Sequence, residues 1–164
     1  RLDTWLDRLR ADPVEPAPRA GHPGDHHHLG KITRQVISAH LSDEFKRRRT
    51  PVVSWATRKR STARRGLRLG SYDSSRDLVR IHSVLDQSAV PEWVVAFVVY
   101  HELLHALIPS QRVGRRLMHH GSLFRRREQA HPDHTRAIAW ENAHLQKLIR
   151  SARTGKHLRR PLHC

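Results

Sequence analysis

The spacing of apolar and polar residues changes along the chain, and each change marks an element. Over residues 31–49, Ile32, Val36, Ile37, Leu41 and Phe45 recur at helical spacing and predict a helix with one apolar stripe. Four cations, Lys46, Arg47, Arg48 and Arg49, suit its C-terminus, and Pro51 stops it. Val52, Val53, Ser54 and Trp55 have β-branched and aromatic character and predict a strand. Residues 67–72 and 78–82 predict two more, separated by the turn residues Asp73, Ser74, Ser75, Arg76 and Asp77. Short connections would make these three strands an antiparallel meander. Residues 90–108 are almost continuously apolar. Pro91 and Glu92 suit a first helical turn, and Pro109 closes the segment, so a buried helix is expected. A loop over 110–118 follows, then a helix from Gly121 or Ser122 to about Ala130. A last helix covers about 133–150, with Ile138, Leu145, Leu148 and Ile149 facing inward.

The ends carry no such pattern. Residues 1–11 could form a short helix, and 12–30 are rich in Pro, Gly and His with almost no large apolar side chain. The expected organisation is a short helix and flexible linker over 1–30, one α+β domain over 31–150, and a mobile basic tail over 151–164. The His26-His27-His28 run is expected to be part of a solvated loop.

Three polar residues interrupt the apolar run, and they change the picture. His101, Glu102 and His105 spell H-E-x-x-H. On a helix, residues four apart lie above one another on one face, so His101 and His105 can offer two imidazole nitrogens to one metal ion. Glu102 sits next to the first ligand, within reach of a water at that ion. From the composition, about 0.05 chance matches to this pattern are expected in such a chain. Buried polar groups without partners cost about 1–3 kcal/mol each, and a shared metal gives all three a reason to be in a core helix. A catalytic zinc usually has three protein ligands and one open position. The His119-His120 pair is the obvious source of the third. Chemistry alone leaves these two in competition, with His131 and His134 as outside candidates.

Charge adds a second theme. Lys and Arg number 31 against 15 Asp and Glu, a formal net charge of +16. Such an excess favours polyanions, nucleic acid first, although an arginine-rich composition can also arise without a binding role. The basic residues group at Arg58, Lys59, Arg60, Arg64 and Arg65, and again at Arg112, Arg115 and Arg116. Trp55 and Tyr72 could offer stacking faces to single-stranded DNA. The single cysteine, Cys164, excludes an internal disulfide and a cysteine zinc ribbon within this chain. Two histidines and a glutamate inside the apolar run exclude it as a membrane span. Residues 1–13 are charged and do not form a signal peptide, so a cytoplasmic location is expected, or a nuclear one if the source is eukaryotic.

The string LVRIHSVLDQSAVPEWVVAFVVYHELLHA, followed by HHGSLF, resembles the SprT-like metalloproteases, the family that includes the Spartan DNA–protein crosslink proteases. The matching pieces are the strand Val79-Arg80-Ile81-His82-Ser83, the helix motif His101-Glu102-Leu103-Leu104-His105-Ala106, and the H-G-x-x-F of His120-Gly121-Ser122-Leu123-Phe124. The resemblance covers roughly residues 31–150. It implies a zincin-like α+β domain with a small antiparallel three-stranded sheet packed on helices. It also implies one zinc per chain on His101, His105 and His120, with Glu102 as general base, and a protein substrate associated with DNA. His119 would then be a neighbour. Tyr100 and His119 are possible extra donors to the oxyanion of peptide hydrolysis, and substrate would lie extended along the sheet edge.

Overall fold

The computed structural model of the chain describes residues 24–58 and 61–162. The short helix expected over 1–11, most of the linker, Lys59, Arg60 and Cys164 lie outside the described residues. In chain order the elements are α1 (Leu29–Val36), a π-helical turn (Ile37–Leu41), α2 (Ser42–Phe45), β1 (Val52–Trp55), β2 (Gly70–Asp73) and β3 (Leu78–Ile81). A 3₁₀ turn (Ser83–Leu85) leads to α3 (Glu92–Leu107), the short hairpin β4 (Gln111–Val113) and β5 (Arg116–Met118), α4 (Ser122–Gln129) and α5 (His134–Thr154).

The class is α+β with a small three-stranded sheet, but the sheet is mixed, and this corrects the antiparallel meander. Its order is β1-β3-β2, with β2 antiparallel and β1 parallel to β3. The β2–β3 link is the expected tight turn. β1 reaches its parallel partner β3 through residues 56–77, which include β2, and a parallel pairing needs a connection of about a dozen residues or more. β2 therefore pairs with β3 on one side only, and among the described residues no strand pairs with its outer edge.

α3 is buried around most of its circumference, with Val95, Val99, Leu103 and Leu104 fully inside, as an all-round apolar helix requires. Pro91 caps it, and it ends at Leu107, before Pro109. β2 and β3 pack on one flank of α3, and α1, α4 and α5 surround the rest. Of the predicted apolar stripe, Ile32, Val36 and Leu41 are buried and Ile37 and Phe45 are half-buried. In α5, Leu148 and Ile149 are buried as expected, Ile138 and Leu145 only partly, and Trp140 is the largest buried side chain.

Both expected mobile ends are tied down where they are described. The Asp86 carboxylate accepts backbone N–H groups of Asp25, His26 and His27 at 2.7–3.0 Å. His27 is buried, its Nε2 shared between the carbonyls of Gln87 and Val90. At the other end α5 continues four residues past Arg150 to Thr154 and stops at Gly155, whose φ of 68° is the left-handed cap that favours glycine. Leu162 then returns to the core, donating its N–H to the Ala89 carbonyl at 2.8 Å and accepting from Trp140 Nε1 at 3.1 Å. The residues that dock these ends, Asp86 and Trp140, sit far from them in sequence, so composition alone could not show the contact. No described helix is long and apolar enough to cross a membrane.

Candidate metal centre

α3 delivers His101 and His105 one turn apart, and His120, just before α4, folds back over them. The three Nε2 atoms form a triangle with sides of 3.0, 3.1 and 3.4 Å. A tetrahedral zinc with Zn–N distances of about 2.0–2.1 Å would set its nitrogen ligands about 3.3–3.4 Å apart, so these donors fit such an ion. Three imidazole nitrogens facing one another at this range repel unless a cation or shared protons lie among them. Burial, together with the neighbouring imidazoles of His101, His120 and His119, pushes His105 down to about 2, so it is neutral and presents a lone pair. Among the described residues no further His, Cys or carboxylate joins the group.

Phe124 fixes the triangle from below. It is fully buried, with its ring centroid 4.5, 4.6 and 5.0 Å from those of His105, His120 and His101. His101 Nδ1 meets Glu128 Oε1 at 2.6 Å. A carboxylate only accepts, so the ring carries its proton on Nδ1 and turns the Nε2 lone pair toward the other two. Burial pushes the Glu128 carboxyl up, while His134 and His120 draw it back.

Glu102 is 3% exposed, and burial pushes its carboxyl up to about 8, opposed by the charge of Arg68 and reinforced by that of Glu128. A cation held by the triangle would favour the ionised form. The carboxylate lies against Gly70 in β2. A Cβ at that position would stand 2.5 Å from Glu102 Oε1 and 2.7 Å from its Cγ, so only glycine leaves the room. Arg68 donates from Nε to the Gly70 carbonyl at 3.0 Å, and its charge also acts on His105.

The remaining candidates fall elsewhere. His119 is exposed, with Nδ1 2.8 Å from Ser110 Oγ. His131 is buried beside Tyr100 and His40, its ring centroids 4.5 and 4.4 Å from theirs, and it accepts the Asp133 N–H on Nδ1. His134 lies edge-on to Phe97. Tyr100 donates its hydroxyl to the Arg127 carbonyl at 2.8 Å, which leaves that proton unavailable to an oxyanion. Trp55 is buried, while Tyr72 is half-buried with its hydroxyl engaged by Asp77 and Arg48. The loop predicted over 110–118 is a hairpin, on which Arg112 and Arg115 are exposed. Arg58, by contrast, is paired with Asp25 at 2.5 Å and Asp86 at 3.3 Å.

Gly70, Arg68 and Glu128 are the site residues that sequence reasoning missed. Glu128 had a legible signal: it lies four residues after Phe124, on the same face of α4. Gly70 and Arg68 had none, because their approach to Glu102 depends on how β2 packs on α3. Compared with known proteins, the chain matches no family model and no curated relative.

Proposed function

We propose that this chain is a zinc-dependent peptidase of the SprT-like, zincin type. The triangle of Nε2 atoms with the buried Glu102 carboxylate beside it carries the reading. His101, His105 and His120 would hold the ion, and three ligands leave a coordination position open, as catalytic sites do and closed structural sites do not. When bound, zinc supplies a Lewis acid that brings the pKa of water near about 7 and polarises a carbonyl. Glu102 takes the proton from the attacking water and passes it to the leaving amine nitrogen. Gly70 leaves the carboxylate space to do so, and the charge of Arg68 favours its ionised form. Among the described residues β2 is an edge strand whose Gly70 packs on Glu102, so an extended polypeptide that adds to this edge would lie near the carboxylate.

The substrate would be protein held near DNA. The net charge of +16 and the exposed Arg112 and Arg115 on the hairpin between the second and third ligands support that association. Digestion of an unfolded protein such as casein tests the chemistry. Activity lost to a chelator and restored by added zinc is expected; digestion unaffected by metal removal contradicts the reading.

A further inference from the structure

We propose that Glu128 is a positioning residue, whose carboxylate locks His101 in the tautomer and orientation that complete the metal triangle. The proposal rests on the metal reading above and adds a residue to it. Glu128 lies outside the H-E-x-x-H helix and the His120 segment, yet it bonds directly to the ring of a triangle histidine. The contact, 2.6 Å from Oε1 to His101 Nδ1, is short, and the two side chains are 13% and 3% exposed. A bond this sheltered from water is stronger than a surface one and directional.

Glu128 is itself held. Phe124, one turn earlier, is fully buried against all three rings, so the α4 face that carries Glu128 is pinned to the site. Next to it, Arg127 is fixed twice: its carbonyl accepts the Tyr100 hydroxyl from α3, and its guanidinium pairs with Glu44 of α2. These contacts keep α4 from sliding along α3, and so keep the carboxylate opposite Nδ1. Carboxylate partners of metal-binding histidines typically change metal affinity by about 10–100-fold when removed.

The test uses the full chain with Glu128→Ala and Glu128→Gln. Zinc affinity is measured by chelator competition. Long-range proton–nitrogen NMR of the metal-free protein reports which His101 nitrogen carries the proton. Circular dichroism shows that each variant is folded, and Glu128→Gln, which keeps the shape and an accepting oxygen, serves if Glu128→Ala is not. Expected are a wild-type His101 protonated on Nδ1, zinc binding weakened by about 10–100-fold in Glu128→Ala and less in Glu128→Gln, and loss of the single tautomer in Glu128→Ala. Unchanged affinity and tautomer in folded variants overturn the proposal. If the wild type binds no zinc, the metal reading falls, and the metal-free tautomer still decides the role of Glu128.

Discussion

At the scale of single residues, H-E-x-x-H was legible because helical spacing fixes where His101 and His105 point, whatever surrounds them. The third member was not fixed by spacing, since adjacent histidines diverge: His120 turns inward and His119 outward to Ser110. Loss of bound zinc is therefore expected in His120→Ala, with stoichiometry near the wild-type value in His119→Ala, as read by metal analysis of the purified proteins. The reverse result would remove His120 from the centre. Gly70 gives a second prediction. A methyl group there would collide with the Glu102 side chain. Gly70→Ala should keep its zinc yet lose on the order of 10²-fold in peptide hydrolysis, the cost of misplacing a reacting group by about 1 Å. Steady-state rates at matched zinc content would show it, and wild-type turnover would mean that the close approach is unimportant.

At the scale of elements, α3 and α4 were foreseeable from apolar period, proline and glycine. The sheet was foreseeable strand by strand but not in its pairing, because strand order depends on where a long connection returns. The Asp86 staple lay out of reach for a similar reason: its donors are the backbone N–H groups of a polar stretch about 60 residues earlier. Burial opposes ionisation of Asp86, but those three N–H groups and Arg58 outweigh it and hold its carboxyl below the ordinary 3.8. A depressed folded value stabilises the fold above the ordinary value, and that contribution is lost as pH falls through the folded one. Asp86→Ala should thus cost about 1–3 kcal/mol near neutral pH, the penalty for buried donors left without partners. The gap between variant and wild type should narrow in urea titrations carried below about pH 4. A gap that stays constant or widens on acidification would show that the staple does not act through the carboxylate.

At the scale of the whole molecule, the charge of +16 was plain from composition, and the structure divides its arginines into groups. Arg58, Arg48 and Arg127 are spent on internal pairs with Asp25, Asp77 and Glu44. Arg112 and Arg115 stay exposed on the hairpin that joins the H-E-x-x-H helix to His120. If they hold a nucleic-acid backbone, log affinity for DNA should fall by about 0.7–0.9 per phosphate contact for each log unit of salt, and the slope should shrink in an Arg112→Ala/Arg115→Ala variant. A salt-independent affinity, or a slope unchanged in the variant, would leave the proposed peptidase with no nucleic-acid role at this hairpin. The proposed hydrolysis turns on one carboxylate. Glutamine at position 102 keeps the size of glutamate but cannot take a proton from water. The decisive measurement is the release of new amino groups from an unfolded protein by wild type and Glu102→Gln at equal bound zinc. Hydrolysis by the wild type and a fall of at least about 10²-fold in Glu102→Gln is the predicted result; equal rates in the two proteins would contradict it.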